Sequence, residues 1–188
     1  MRLPQSFYSR DVLEIAPDLL GKVLVRDFGN GEELRLMITE TEAYRGEDDL
    51  ACHASKGRTP RTEVMYLEGG KIYVYLIYGM YWLLNFVTGP DNHPQAVLIR
   101  GCEGVNGPGR LGKVLRLDRS FYGENLVTSD RIWVEDATVS VGLPIGRSPR
   151  VGIDYAGDHW ANVHWRFTLG DTIPSKPLSR ASSAKKRG

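Results

Sequence analysis

KIYVYLIYGMYWLLNFV, residues 71–87, is the stretch that decides the fold. Its β-branched and aromatic side chains suit a pleated surface, and Gly79 interrupts the run with a residue that tolerates positive φ. The reading is two strands, 71–77 and 81–87, joined at Tyr78 and Gly79. At a period of two, Tyr73 and Tyr75 share one strand face, whereas Tyr78 has the opposite phase and abuts the turn. The apolar part, 74–87, is too short to cross a bilayer.

Upstream, KVLVRDF (22–28) and ELRLMITETEAY (33–44) flank Gly29-Asn30-Gly31 and read as a β-hairpin. YSRDVLEIAPDLL (8–20) opens on Ser9 as a helix cap and is punctuated by Pro17 and Gly21, which predicts a short helix or a pair of helical turns. A polar loop runs from Arg45 to Arg61, of a length associated with function or mobility. Downstream, Gly89-Pro90-Asp91 turns the chain into a strand over 95–101, and further strands are expected at 131–141 and 163–169. The sum is a strand-dominated mixed α/β chain, α+β in kind, with long inserted loops. It forms one domain over 1–175, followed by a basic tail at 176–188 with no fixed fold.

The 188 residues carry a formal charge of +1, from 24 Lys and Arg against 23 Asp and Glu. That excludes a polycation mode of nucleic-acid binding, but a local basic groove is compatible with it. The distribution is uneven: Lys176, Arg180, Lys185, Lys186 and Arg187 give the tail +5, which leaves the body at −4. Two cysteines, Cys52 and Cys102, allow at most one disulfide. With no signal peptide in view, reduced thiols in the cytoplasm are expected. The four histidines are scattered and neither cysteine belongs to a CxxC pair, so no metal site is expected.

The strand MITETEAY places Glu40, Glu42 and Tyr44 on one face. A carboxylate pair beside an aromatic ring suits acid–base chemistry on a flat ligand; a solvated strand face is the plainer reading. HASKGRTPR holds His53, Lys56, Arg58 and Arg61, which suit phosphate or simply the surface. Tyr73, Tyr75, Tyr78, Tyr81 and Trp82 lie within ten positions. If they are interior, each hydroxyl needs a partner; if exposed, the rings can stack on bases or wedge between them. GPGRLGK, with Arg110 and Lys113, fits neither a Walker A loop nor a dinucleotide fingerprint, but a nest of backbone N–H groups there is a candidate phosphate contact.

LLGKVLVR (19–26), ETEAY (40–44), the following His53, TPR (59–61), YVYLIYGMYWLLN (73–85), VLIR (97–100) and RVGIDYAG (150–157) together resemble the alkyladenine (3-methyladenine) DNA glycosylase family, in the correct order from about residue 6 to 173. The resemblance implies one α+β domain with a curved antiparallel sheet, flanking helices and a protruding β-hairpin. It implies a monofunctional hydrolase in base excision repair, without lyase step, metal or cofactor, that removes alkylated or deaminated purines such as 3-methyladenine, 7-methylguanine and hypoxanthine from duplex DNA. Glu42 matches the catalytic glutamate that activates water. Tyr44, His53 and Tyr75 match the side chains that hold the extruded base, and Asn85 matches the pocket asparagine that opposes a 2-amino group. Tyr78 matches the residue that fills the gap in the helix. Arg100 matches an arginine near the lesion, read here as a phosphate contact. Lys56, Arg58, Arg61, Arg110 and Lys113 are expected to face the DNA backbone.

The resemblance further implies a compact bacterial-type member, monomeric, cytoplasmic and without membrane attachment, whose partner is duplex DNA containing damaged purines. Read from the residues without that resemblance, the same aromatics and cations also fit a nucleic-acid-binding module without turnover, or a hydrolase of free nucleosides that needs Glu42 but not Tyr78.

Overall fold

Two short helices open the chain, α1 (Gln5–Tyr8) and α2 (Val12–Asp18). The computed structural model from which they are taken describes residues 1–136 and 142–170, so the expected tail at 176–188 and the far end of the expected strand 131–141 lie outside the described residues. The cap expected at Ser9 is corrected to Asp11, whose side chain accepts from Leu13 N at 2.9 Å. Ser9 instead closes α1: its N–H donates to Gln5 O, which leaves its hydroxyl bonded to the same carbonyl.

Among the described residues nine strands follow: β1 (Val23–Asp27), β2 (Glu33–Arg45), β3 (Ile72–Ile77), β4 (Tyr81–Thr88), β5 (Gln95–Cys102), β6 (Val105–Asn106), β7 (Ile132–Glu135), β8 (Ile145–Ser148) and β9 (Arg166–Leu169). They form one open sheet in the order β3-β4-β5-β2-β1-β7, with β6 beside β5, and with β9 beside β2 carrying β8 on its outer edge. Every pairing is antiparallel. The hairpin expected from Gly29-Asn30-Gly31 is β1–β2, in register from Val23↔Met37 to Asp27↔Glu33. β2 is long enough to serve two neighbourhoods, with β1 along its first half and β5 and β9 along its second. Its register against β5 shifts between Ile38 and Thr41, a bulge that bends the strand where it changes partners. β8 has little apolar alternation and was not legible as a strand in the sequence.

Strand alternation gives the sheet two different faces. On one, Ala43, Ile72, Val74, Leu84, Phe86, Val97 and Ile99 form the main core with Val12 and Ile15 of α2 and with Leu111 and Leu115 of α3 (Pro108–Val114). Each such side chain contributes about 1.5–3 kcal/mol by leaving water. On the other face, the loop between β2 and β3 folds over the tyrosines of β3, and the segment between β8 and β9, which includes α4 (Gly157–Asn162), packs against Ala51 and Tyr44.

Two glycines of GPGRLGK, Gly109 and Gly112, have a packing explanation. A Cβ at Gly112 would lie 1.9 Å from the Trp82 carbonyl oxygen, and one at Gly109 would lie 2.9 Å from the Tyr81 ring. The glycines let α3 approach β4 closely, and Arg110 and Lys113 project from the outside of that helix, with the Lys113 ammonium 4.5 Å from the centre of the Tyr81 ring.

Candidate active site

One row of cross-strand neighbours builds the site. Tyr73 pairs with Asn85, Asn85 with Leu98, Leu98 with Glu42 and Glu42 with Arg166, so these five side chains share one face of five adjacent strands. The next same-face positions along β2 and β3 are Tyr44 and Tyr75. Sequence alternation had placed Glu40 with Glu42 and Tyr44, and Tyr73 with Tyr75; the register joins the two groups.

A narrow cavity of about 40 Å³ lies on this face, lined among others by Tyr44, His53, Tyr73, Tyr75, Asn85 and Tyr155. His53 heads a single 3₁₀ turn over His53–Lys56, with its Nδ1 2.7 Å from the Tyr73 hydroxyl and its ring centre 4.6 Å from that of Tyr75, edge to face. Burial and the nearby Arg61 charge push the His53 imidazolium down to about 4, so the ring is neutral at neutral pH. Burial pushes the Tyr73 phenol up to about 12, and the phenols of Tyr44 and Tyr75 also upward. Asn85 is 3% exposed and donates from Nδ2 to Tyr73 O at 3.1 Å, which leaves Oδ1 as an acceptor. The pocket is therefore a set of uncharged rings and one amide.

Glu42 has no exposed surface and sits behind Tyr44 rather than in the cavity wall. Its Oε2 accepts from the Tyr44 hydroxyl at 2.8 Å, and its Oε1 accepts from Val151 N at 2.8 Å and lies 3.5 Å from Arg100 Nε. Burial pushes its carboxyl up, opposed by Arg100 and by the bonds from Val151 and Tyr44. A carboxylate oxygen accepts two hydrogen bonds, so each oxygen keeps capacity for a water.

Glu40 differs: its Oε1 takes Arg100 Nε at 2.9 Å and Arg166 Nε at 2.6 Å. Arg100 Nε is aimed at two carboxylates on the site face, and its side chain is 15% exposed.

The hairpin end of β3–β4 carries Tyr78, 85% exposed, with φ +49°, next to Gly79 at φ +66°. A bulky residue rarely adopts positive φ, so Tyr78 costs the turn stability that Asn or Gly would not. Tyr78 lies three residues, about 10 Å, beyond Tyr75 along the strand direction.

The expected basic residues fall into separate groups. Arg61 caps the Tyr75 ring at 5.1 Å and, with Arg119, flanks an open groove of about 340 Å³ beside the hairpin, floored by Leu76 and Trp82. Lys56 is exposed and borders a second cavity of about 210 Å³ on the far side of His53. Arg58 is engaged by Glu63 at 2.7 and 2.9 Å and by Asn92 at 3.1 Å.

Arg119 and Tyr155 were not singled out in the sequence. Tyr155 borders both cavities and donates to Ala51 O at 3.3 Å; it stood inside the RVGIDYAG motif with no local pattern to mark it. Both cysteines are free and buried. Among the described residues no helix is long and apolar enough to cross a membrane.

The site is a slot of neutral aromatic rings on an antiparallel sheet, with a carboxylate held behind one ring. The pattern described as Methylpurine-DNA glycosylase (MPG) matches residues 6–106 and 103–173. The relatives include proteins named "Putative 3-methyladenine DNA glycosylase". One from Natranaerobius thermophilus is 40% identical, over 91% of this chain and 96% of its own. One from Methanocella arvoryzae is 44% identical, over 88% and 90%. One from Anaeromyxobacter dehalogenans is 42% identical, over 98% and 90%. The chain belongs to the methylpurine-DNA glycosylase family, DNA repair hydrolases that act on N-glycosyl bonds.

Proposed function

We propose that this protein extrudes damaged purine nucleotides from duplex DNA into the slot between Tyr44, His53 and Tyr75 and hydrolyses their N-glycosidic bond, with Glu42 as the base. The observation that carries this reading is the buried Glu42 carboxylate, bonded to Tyr44 of the slot and to Val151 N. A water on the free side of that carboxylate loses its proton to Glu42 as its oxygen bonds to C1′. The C1′–N bond breaks and its electron pair leaves with the purine. Positive charge that develops on the sugar is favoured by the same carboxylate.

Substrate choice follows from the slot. An N3- or N7-alkylated purine is a cation and a good leaving group, and electron-rich rings favour it over an uncharged normal base. The depressed His53 basicity supports this reading, because a protonated imidazole would repel that cation. 3-Methyladenine is thus the preferred substrate; 7-methylguanine, a cation that keeps the 2-amino group, and neutral hypoxanthine are slower. Asn85 opposes the 2-amino group of guanine.

Tyr78 fills the gap left by the extruded nucleotide, offsetting part of an unstacking cost of roughly a few kcal/mol. Arg100 holds the carboxylates, and Arg61, Arg119, Lys56, Arg110 and Lys113 supply backbone contacts, with Arg58 available only if it leaves Glu63. Residues 1–175 are the working unit, a monomer. The basic residues after 175 add salt-sensitive attraction that truncation removes without stopping base release.

The test is chromatography of bases freed from methylated duplex DNA and from a hypoxanthine duplex. Free 3-methyladenine and 7-methylguanine are expected, with the strand left intact until it is treated with alkali. No release of any base, or strand cleavage by the enzyme itself, would contradict the reading.

A further inference from the structure

Arg150 has no place in the mechanism above, yet it is buried completely in a polar clamp. Its guanidinium forms a two-pronged ion pair with Asp49, at 2.6 and 2.9 Å, and neither side chain has exposed surface. Nη1 also donates to Ala43 O on β2 at 2.9 Å, while Nε has no hydrogen-bond partner. Asp49 in turn accepts from Arg45 N and Ala51 N, both at 3.1 Å. A buried pair with an orphaned donor is a poor source of stability, because desolvation offsets most of the attraction. Its position is more informative. The guanidinium carbon lies 4.8 Å from the centre of the Tyr44 ring and 5.1 Å from that of Trp165, and the next residue along the chain is Val151. Tyr44 and Val151 are the two neutral donors to Glu42, one on each oxygen.

We infer that Arg150 is a positioning residue for Glu42: fixed by Asp49 and the Ala43 carbonyl, it holds the Tyr44 ring from one side and the Val151 N–H from the other, so that both donors meet the carboxylate together. This rests on Glu42 as the base. Lysine in the same place keeps the charge but loses the flat fork that bonds Asp49 twice and stacks on Tyr44.

The groups facing Glu42 are Glu40 and Tyr44 on β2, Arg100 on β5, Tyr75 on β3, Arg166 of β9 behind Glu40, and the segment that carries Arg150. Both neutral bonds favour the ionised carboxylate, so loosening them raises the pH below which the base is protonated. The acid limb of the pH–rate profile then moves upward.

The test is single-turnover base release from methylated duplex DNA as a function of pH, for Arg150→Lys, Arg150→Met and Tyr44→Phe. Ile132→Ala, in the core on β7, serves as a control for destabilisation alone. Arg150→Lys is expected to lower the plateau about tenfold and to raise the acid limb by roughly half a unit to one unit, with DNA affinity within about twofold of wild type. Arg150→Met moves the limb further, Tyr44→Phe moves it in the same direction, and Ile132→Ala leaves it in place.

A wild-type limb in Arg150→Lys would overturn the inference, as would a rate loss that only follows melting temperature as in Ile132→Ala. If neither Arg150 variant folds, Tyr44→Phe decides: an unmoved limb overturns the proposal. Glu42→Gln with wild-type turnover would instead show that Glu42 is not the base, a separate failure.

Discussion

The two faces of one sheet, built from alternate residues of the same strands, are held together by different physics. Phe86, Val97 and Ile99 face helices across dry apolar contacts, whereas Asn85, Leu98 and Glu42 face loops tied down by ion pairs and single hydrogen bonds. Apolar contacts are undirected and tolerate small shifts. The bonds to Glu42 and Asp49 are directional and fix atoms to within tenths of an ångström. The core face makes the molecule stable, and the other face spends part of that stability on geometry.

That contrast predicts separable mutations. The largest stability change belongs to the core face: Phe86→Ala should cost about 3–5 kcal/mol in denaturant unfolding, while activity per folded molecule stays near wild type. An equal loss of specific activity would mean that the faces are coupled.

His53 marks the site face by its pH response. The unfolded chain takes up this proton near pH 6.5 and the folded protein only near pH 4, so the contribution is complete above 6.5 and disappears as pH falls toward 4. Wild type should lose on the order of 2–3 kcal/mol more than His53→Gln across that window. Parallel pH curves for the two proteins would contradict a neutral, buried His53.

The smallest stability effect is at the hairpin and has the opposite sign. Tyr78→Asn relieves a bulky residue at positive φ and should stabilise by up to about 1 kcal/mol. It should at the same time slow base release from duplex DNA, and slow it less from single strands. A variant that is both more stable and fully active on duplex DNA would remove Tyr78 from the account.

Much of the fold was legible because alternation is local. β2 and β3 showed their faces in ETEAY and IYVYLIY, and the turn residues between β1 and β2 stood in the sequence. What joins the pieces was not legible. Asp49 and Arg150 are 101 residues apart, and no periodicity links them. Ser9 and Asp11 both carry capping side chains, and the choice between them depended on where α1 stopped. The glycines around Arg110 fit a phosphate nest and close helix packing equally well, and nothing local pairs Gly112 with Trp82. The Arg100–Glu40 ion pair joins residues 60 positions apart, beyond any local pattern.

Glu40, tied to two arginines, and Glu42, buried between Tyr44 and Val151, stand two residues apart on one strand face and leave one decisive measurement. In single-turnover base release from methylated duplex DNA, Glu42→Gln should fall about 10² to 10⁴-fold while its DNA affinity stays within a few-fold of wild type. Release by Glu42→Gln at the wild-type rate would contradict the account at its centre.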